Sequence, residues 1–326
     1  VHKPTPSWLF EGGADGAIKN FTYVFEIAPE AFVTTDCWDL SSSMCKTIQT
    51  QKAVARMLAT NATVKGWNGT LNLENNNIGA EGAEFIGEGV KHSKTLKGLI
   101  LDDNTIGDEG AKFIGEGVKY SKTLKTLDMD NNNIGYVGAK SIGEGVKHST
   151  SLKELAMNNN KIGDAGGKCI GEGVQCSTVL LTLYLQNNNI GDEGAKSIGE
   201  GVKRSKTLKV LSIQHNNIGA EGAKSIGEGI AHNKTLTELF MGNNSIGDEG
   251  AKFIGEGVEQ SKTLTKLYLD KVEICAEGAK SISTGVTQSS SLNELNIQHN
   301  NIGAEGAKSI GEGIVQSRTL TELFIG

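Results

Sequence analysis

Apolar and polar residues follow one pattern that recurs every 28 residues along most of the chain. In each unit a short segment alternates apolar and polar positions, as Leu99 and Leu101 do, which predicts a strand with one buried face. A second segment spaces its apolar residues at i, i+3 and i+7, as in Ala111, Ile114 and Val118, which predicts a helix with one buried face. Each unit is therefore predicted to run strand, turn, helix, with all strands parallel.

The dipeptide Ile-Gly marks each repeat, with Ile274-Cys275 as the one departure. Its isoleucine stands at Ile78, Ile106, Ile134, Ile162, Ile190, Ile218, Ile246 and Ile302. An asparagine precedes the isoleucine by two residues in every unit except the one that contains Val272. Because a buried side-chain amide can satisfy backbone groups that a turn leaves unpaired, we expect these asparagines to form a ladder along the array.

The chain divides into two parts at about residue 70. Residues 71–326 hold the repeats and predict ten strands and nine helices. Residues 1–70 contain all three prolines and all three tryptophans and lack the repeat. A repeat array needs its first apolar flank covered, so we expect residues 1–70 to be an N-terminal capping segment. An independent functional domain is the alternative.

The first half of each unit fits Leu-x-x-Leu-x-Leu-x-x-Asn-x-Ile, which is the leucine-rich-repeat signature; one unit carries it at Leu96, Leu99, Leu101, Asn104 and Ile106. With their 28-residue length, a full helix and Asn-x-Ile-Gly-x-Glu-Gly-Ala, as in Asn188 to Ala195, the repeats resemble the ribonuclease-inhibitor-like class. Ran GTPase-activating protein and the sensor halves of NOD-like receptors belong to that class. The resemblance implies an α/β solenoid, a horseshoe with an inner parallel β-sheet and outer α-helices. It does not indicate a ligand, since members share a scaffold and not a partner.

The helices depart from that class in one respect. Where family helices commonly carry alanine, this chain has Ile-Gly-Glu-Gly-Val, as in Ile86 to Val90. Two glycines in a helix interior cost roughly 1–2 kcal/mol per helix relative to alanine. We therefore expect them to permit a closer approach between neighbouring helices.

Composition and charge exclude several classes of protein. The net charge is −6, which has the wrong sign for a nucleic-acid-binding protein, and no run of 18 apolar residues predicts a membrane span. Glycine is abundant, with 43 residues, but only 3 prolines accompany it, so the chain is neither collagen-like nor a disordered Pro/Gly tract. The chain opens with Val1 rather than Met, so we expect that an upstream segment was removed.

Candidate catalytic chemistry is sparse. Gly194-Ala-Lys-Ser resembles the end of a phosphate loop, but alanine stands where that loop requires glycine before the lysine. The histidines His92, His148 and His232 share one repeat position and lie two or three repeats apart, too far for a shared metal. We therefore predict a protein that is not an enzyme, with no catalytic residue, no cofactor and no metal site.

Cysteines and glycosylation sequons bear on the compartment. Cys37 and Cys45 are spaced for a disulfide, whereas Cys169 and Cys176 lie two helical turns apart, about 10 Å, beyond the reach of a bridge. Asn-x-Ser/Thr sequons occur at Asn20, Asn61, Asn68, Asn233 and Asn243, and the first three are the only asparagines of residues 1–70. We therefore predict N-linked glycans and an extracellular or cell-surface location, with a cytoplasmic location as the alternative.

The strand positions that face away from the core vary most between repeats. They are Asn72, Ile100, Asp128, Ala156, Tyr184, Ser212, Phe240, Tyr268, Asn296 and Phe324. In a solenoid this is the inner, concave surface. Two residues earlier stand Glu154, Glu238, Lys266, Glu294 and Glu322, and two residues later Glu74, Asp102, Asp130 and Asp270. Exposed aromatic rings beside carboxylates are typical of protein-binding patches, which predicts a basic protein or peptide ligand bound by Asp128, Glu154, Tyr184, Glu238, Phe240, Tyr268 and Phe324. Drift of unconstrained positions is the alternative.

The end of the sequence suggests a second function. The chain stops at Gly326, so Leu320, Leu323 and Ile325 have no following repeat to cover them. Either the chain is cut short, or another copy covers this end through its Trp8-Leu-Phe segment in a head-to-tail homo-oligomer.

Three functions thus remain open: a glycoprotein scaffold that binds protein on its concave face, a structural subunit that assembles into a filament or surface coat, and a fragment of a cytosolic sensor or regulator.

Overall fold

The computed structural model describes residues 69–326 and, before them, the short segments 33–34, 37–39, 51–52 and 54–55. The described strands are β1 (Val33–Thr34), β2 (Cys37–Asp39), β3 (Thr70–Asn72), β4 (Gly98–Ile100), β5 (Thr126–Asp128), β6 (Glu154–Ala156), β7 (Thr182–Tyr184), β8 (Val210–Ser212), β9 (Glu238–Phe240), β10 (Lys266–Tyr268), β11 (Glu294–Asn296) and β12 (Glu322–Phe324). Within residues 69–326 the helices are α1 (Ala80–His92), α2 (Gly107–Tyr120), α3 (Tyr136–His148), α4 (Gly163–Cys176), α5 (Asp192–Arg204), α6 (Ala220–His232), α7 (Gly247–Gln260), α8 (Ala276–Gln288) and α9 (Gly303–Gln316).

The strands form one open sheet in chain order, β1 to β12. All neighbours are parallel except β1 and β2, which pair antiparallel. From β3 onward the register is constant, so that Leu71 pairs with Leu99 and Leu99 with Leu127. The ten strands and nine helices predicted for the array are therefore confirmed within residues 69–326, and the fold is a leucine-rich-repeat solenoid.

The core lies between the sheet and the helices, as the two periodicities predict. Leu99 and Leu101 are fully buried from the strand side, and Ala111, Ile114 and Val118 are buried from the helix side. The same positions are buried in the following repeats up to α8 and form one continuous cluster along the array, whereas Ala307 and Ile314 of α9 are exposed. Each repeat thus buries its apolar face against its neighbours, which is how a solenoid with a small cross-section acquires a core.

The predicted asparagine ladder is present, and Asn216 shows its geometry. Its Oδ1 accepts hydrogen bonds from the backbone N–H of Asn188 and Ile190 in the preceding repeat, both at 3.0 Å. Its Nδ2 donates to three backbone carbonyls at 2.9–3.1 Å, including that of Leu185. Each such amide therefore joins two repeats at the turn where strand hydrogen bonding ends. Val272 interrupts the ladder, and the preceding turn has no side-chain amide to accept from the N–H of Ile246.

The helix glycines are confirmed as points of close helix–helix approach. A Cβ added at Gly199 in α5 would lie 2.4 Å from the carbonyl oxygen of Ser225 in α6, and one added at Gly201 would lie 2.5 Å from that of Gly171 in α4. From α2 to α7 the first glycine of the Gly-Glu-Gly thus faces the following helix and the second faces the preceding one. Ser283 is the exception, and its hydroxyl donates to the backbone oxygen of Ser309 in α9.

From α2 onward the helices begin in two alternative ways, according to whether the preceding repeat carries an aspartate. Asp108 Oδ1 accepts from the backbone N–H of Gly135 and Gly138 at 2.7 and 2.8 Å, which caps α3 from the neighbouring helix. The same two bonds recur from Asp164, Asp192 and Asp248 to the starts of α5, α6 and α8.

Where alanine or tyrosine replaces that aspartate, at Ala80, Tyr136, Ala220 and Ala276, the next Ile-Gly glycine takes a left-handed conformation. The φ angles of these glycines, at positions 107, 163, 247 and 303, are +60° to +61°. Gly135, whose N–H donates to Asp108, is extended with φ −100°. The N–H of Cys275 donates to Asp248, and Cys275 is likewise extended with φ −105°, which explains why a side chain is tolerated there.

Candidate functional site: the inner face

The inner face consists of the last residue of each strand from β3 to β12 and the residues two before and two after it. These side chains point away from the core because side chains alternate along a strand. Tyr184, Phe240 and Tyr268 are half-buried, Ser212 is buried, and Phe324 on the last strand is exposed. The constant register places equivalent residues of adjacent repeats side by side, so Phe240 and Tyr268 are direct cross-strand neighbours.

Negative charge is concentrated on this face. It carries nine carboxylates and one cationic side chain, Lys266. The carboxylates are Glu74, Asp102, Asp128, Asp130, Glu154, Glu238, Asp270, Glu294 and Glu322. The chain has 38 Asp and Glu against 32 Lys and Arg, so 29 acidic and 31 basic residues remain for everything else. The net negative charge of the protein is thus a property of the inner face.

Carboxylates crowd together in the N-terminal half of this face. Burial raises the pKa of Asp128 to about 6, and the charges of Asp130, Asp102 and Glu154 act in the same direction. Burial likewise raises the pKa of Asp130, although that carboxylate accepts hydrogen bonds from the backbone N–H and Nδ2 of Asn158 at 2.6 and 2.8 Å. This half presents a negative field that is incompletely neutralised within the described chain.

Glu74, Asp102 and Asp103 form the group among the described residues whose oxygens, within 4.8 Å of one another, could hold a metal ion. Their carboxylates are half-buried or exposed, and Asp102 already accepts from Asn131 Nδ2 at 2.9 Å. Exposed acidic groups of this kind are common without an ion, and no further feature of the group points to one.

Aromatic rings dominate the C-terminal half. The rings of Phe240 and Tyr268 have centroids 4.7 Å apart and planes inclined at 36°. The Tyr268 hydroxyl donates to Glu294 Oε1, and Lys266 Nζ lies 3.1 Å from Glu294 Oε2. Burial and the bond to Glu294 raise the pKa of Tyr268 to about 12, so the phenol stays protonated. The hydrogen bonds from Tyr268 and Lys266 lower the pKa of Glu294.

Gly242 makes room for a carboxylate beside this aromatic pair. A Cβ added at Gly242 would lie 2.4 Å from Asp270 Oδ1, so any larger residue would displace the Asp270 side chain. Asp270 follows Tyr268 by two residues, and Glu238 precedes Phe240 by two. The pair therefore has a carboxylate on each side along the strand direction.

The inner-face residues predicted from the sequence all lie where the alternation places them. Asp128, Glu154, Tyr184, Glu238, Phe240 and Tyr268 share one continuous surface, with Phe324 at its C-terminal end. Tyr184 lies two strands from Phe240, and its pKa is raised by burial and by Glu154 and Glu238. The sequence did not reveal the Tyr268–Glu294 hydrogen bond or the space at Gly242, because both depend on side-chain directions that period-2 alternation leaves open.

The described sequons differ in accessibility. Asn233 takes the place of the serine that follows most helices, and it is 4% exposed. Its Nδ2 donates to the carbonyls of Val202 and Ser205 at 2.6 and 3.1 Å, so this nitrogen cannot also carry a glycan in the folded chain. The prediction of a glycan at Asn233 was therefore wrong. Asn243 lies on a turn with φ +54° and is half-buried, and a glycan there stays a prediction.

Several predicted residues lie outside the described residues. They are Trp8, Asn20, Cys45, Asn61 and Asn68. The backbone of Cys37 lies in β2, but its side chain is not described. The three cysteines of residues 69–326, Cys169, Cys176 and Cys275, are free thiols.

The sequence profile of the Leucine Rich repeat family matches eight segments of the chain: residues 70–87, 92–115, 120–143, 148–171, 176–199, 204–227, 232–255 and 288–311. Together they cover more than half of the 326 residues. The chain belongs to the Leucine Rich repeat family. The array's unmatched stretch between residues 255 and 288 contains Val272 and Cys275, where the repeat departs from its own pattern.

No curated protein matches this leucine-rich-repeat chain. Among solved structures, an internalin from Listeria monocytogenes is similar at 16% sequence identity. The match covers 94% of this chain and 93% of the internalin chain, with a TM-score of 0.42. Within the described residues, the helices are too short or too polar for any of them to cross a membrane.

The last repeat exposes apolar side chains. Leu320 and Leu323 are half-buried against the core, and Ile325 is 41% exposed. On α9, Ile314 and Val315 are 39% and 86% exposed. The positions of Ile314 and Ile325 are buried in the earlier repeats, whereas the position of Val315 is polar or small and exposed or half-buried there.

Proposed function

We propose that this leucine-rich-repeat array is a non-enzymatic scaffold that holds a cationic protein or peptide on its inner face. The observation that carries the proposal is the segregation of charge: nine carboxylates against one lysine on this face, and near balance elsewhere. The one lysine is paired with Glu294, and the other eight carboxylates of this face have no ion pair with a basic side chain among the described residues. Electrostatic complementarity of this kind accelerates association and selects partners of opposite charge.

The aromatic side chains supply the second requirement of a binding patch. Charge alone gives weak, salt-sensitive attraction, whereas a few well-packed aromatic residues dominate affinity in many interfaces. The rings of Phe240 and Tyr268 contact each other, and Tyr268 is held by its hydrogen bond to Glu294, so the pair loses little freedom when a partner binds.

The test uses a labelled octapeptide of alternating arginine and lysine and an octaglutamate control of the same length. Fluorescence anisotropy should show binding of the cationic peptide at low salt, weakening as salt rises, and no binding of octaglutamate. Replacing Tyr184, Phe240 and Tyr268 together by alanine should abolish binding of the cationic peptide while the thermal midpoint of unfolding stays nearly unchanged. Equal binding of the two peptides would contradict the proposal, as would loss of the fold in the triple variant.

We further propose that the protein is a secreted or cell-surface glycoprotein, with glycans on Asn20, Asn61, Asn68 or Asn243 and a Cys37–Cys45 bridge. The saturation of the asparagines of residues 1–70 by sequons supports this location. Mass spectrometry of the natural protein tests it: glycans on these asparagines and a blocked Cys37 are expected. Unmodified asparagines with free thiols would favour a cytosolic sensor or regulator instead.

Head-to-tail self-association is the second candidate function. Exposure of Ile314, Val315 and Ile325 on the last repeat favours it, because a second copy could supply the covering surface. Light scattering of the 326-residue chain should show mass that rises with concentration. A monodisperse monomer at high concentration would contradict self-association and leave the scaffold proposal intact.

A further inference from the structure

The Phe240–Tyr268 pair is the one pair of contacting aromatic rings described on the inner face. The carboxylates around it differ in whether they already have a bonding partner. Glu294 is committed, because it accepts from the Tyr268 hydroxyl and pairs with Lys266. Within the described residues, neither the Glu238 carboxylate nor the Asp270 carboxylate takes part in a hydrogen bond or an ion pair. Two uncommitted carboxylates thus flank an aromatic surface whose own polar group is already satisfied.

The local charge stays negative despite the nearby lysine. Lys266 lies between Glu238 on β9 and Glu294 on β11, and its pKa is raised by the bond to Glu294 and by the charges of Glu238 and Glu322. One cation therefore stands among three carboxylates in this row, and Asp270 adds a fourth on the other side of the rings. The aromatic pair lies between these two groups of charge.

Resting on the proposed function, we propose that a partner's arginine side chain docks on the Phe240–Tyr268 pair, with its guanidinium against the rings and its N–H groups donating to Glu238 or Asp270. A guanidinium group suits these rings and carboxylates better than an ammonium group does. It is planar and weakly hydrated, stacks on aromatic faces, and donates two parallel hydrogen bonds to one carboxylate. Lysine offers a compact, strongly hydrated charge that gains less from the rings.

Gly242 acts as a positioning residue in this arrangement. Because a Cβ there would lie 2.4 Å from Asp270 Oδ1, glycine allows the carboxylate to lie against the backbone two residues after Phe240. A Gly242→Ala variant should therefore move the Asp270 carboxylate without touching the rings. Its φ is not in the left-handed region, so alanine introduces no backbone strain.

The experiment compares labelled octa-arginine and octalysine, which carry the same charge, by fluorescence anisotropy on the 326-residue chain. The native chain should bind octa-arginine at least tenfold more tightly than octalysine. Phe240→Leu should reduce this ratio to about twofold or less by weakening octa-arginine alone. Tyr184→Leu, which removes an aromatic ring two strands away, and Tyr268→Phe, which keeps the ring, should preserve the ratio. Gly242→Ala should lower it partially.

Each outcome bears on the inference. Equal affinity for the two peptides in the native chain, or a ratio that survives Phe240→Leu, would overturn the arginine site. If both peptides bind equally and inner-face carboxylates are required, the arginine site fails and the scaffold proposal stands. If neither peptide binds at low salt, both proposals fail. Far-UV circular dichroism establishes that each variant is folded. Should Phe240→Leu unfold, Gly242→Ala is the second test, and an unchanged ratio in that variant would contradict the arginine site.

Discussion

Replacing one glycine by alanine at equivalent positions of two helices should change stability in opposite directions. Gly199 in α5 faces α6, and an added Cβ would lie 2.4 Å from the carbonyl oxygen of Ser225 and 2.6 Å from its carbon. These are backbone atoms, so no side-chain rotation can relieve the contact. Gly311 occupies the same position of α9, and a Cβ there meets no atom within 4 Å. The chemical change is identical, and only the neighbouring helix differs.

The expected magnitudes follow from two effects. Alanine in place of glycine stabilises an exposed helix interior by about 1 kcal/mol. At Gly311 nothing opposes this gain, so Gly311→Ala should raise the free energy of unfolding by about 1 kcal/mol. At Gly199 overpacking costs about 1–3 kcal/mol, and α5 and α6 must separate to accept the methyl group. Gly199→Ala should therefore lower the free energy of unfolding by up to about 2 kcal/mol after the helix gain is included.

Urea unfolding followed by circular dichroism measures both changes on the same chain. For an array of this size each kcal/mol corresponds to a thermal shift of roughly 2–4 °C. Equal stabilisation by both substitutions would contradict tight packing of α5 against α6, because it would mean that the helices can separate at Gly199 without loss. The glycine stripe would then need another explanation than close helix approach.

Three further predictions concern the turns and the inner face. In urea unfolding Gly107→Ala should destabilise the protein by about 1–2 kcal/mol, because the φ of Gly107 is +61°. Gly79→Ala should be neutral or slightly stabilising, because Gly79 is extended and has open space around it; equal effects would contradict the two backbone conformations at the helix starts. By the same assay Asn216→Val should lower the free energy of unfolding by about 2–4 kcal/mol, because it leaves buried backbone groups without a hydrogen-bond partner. Val272→Asn should not lower it, because the new amide would continue the ladder. The raised pKa of Asp128, about 6, means that ionisation of this carboxylate opposes folding above that pH. Asp128→Asn should therefore stabilise the protein by about 1 kcal/mol at pH 7.5, allowing for solvent screening, and by almost nothing at pH 3. An equal gain at both pH values would contradict the burial of this carboxylate.

The sequence predicted the array closely because one side-chain pattern repeats with no insertion. Period-2 alternation around Leu99 and i, i+3, i+7 spacing around Ile114 specify which faces are buried, and the parallel register follows from equal repeat length. The asparagine ladder was equally accessible, since Asn216 and its equivalents stand at a turn where backbone groups need partners.

The two ways in which helices begin were missed, although a signal was present. Asp108 and its equivalents act on the repeat that follows, 27 and 30 residues away, and a comparison of positions within one repeat does not reveal such a contact. Cys275 is the clue: a side chain replaces glycine at the start of a helix whose preceding repeat carries an aspartate, Asp248.

The inner face was predicted in outline and not in detail. Alternation placed Phe240 and Tyr268 together, but the hydrogen bond to Glu294 depends on rotamers that a pattern does not specify. Asn233 was misassigned for a related reason. Its sequon is a local pattern, whereas its burial depends on contacts with Val202 and Ser205 one repeat earlier.

We propose that the inner face, and not the overall charge of the protein, is what binds a cationic partner. Two variants with the same net charge test it. One neutralises inner-face carboxylates that make no side-chain hydrogen bond: Glu154→Gln, Glu238→Gln, Asp270→Asn and Glu322→Gln. The other neutralises exposed helix carboxylates: Glu116→Gln, Glu172→Gln, Glu256→Gln and Glu312→Gln.

The measurement is the dissociation constant of the labelled arginine–lysine octapeptide for the native chain and both variants, at one low salt concentration. We expect at least a tenfold weaker affinity for the inner-face variant and an affinity within twofold of native for the helix variant. Equal weakening in the two variants would show that only net charge matters, and it would contradict the inner face as the binding site.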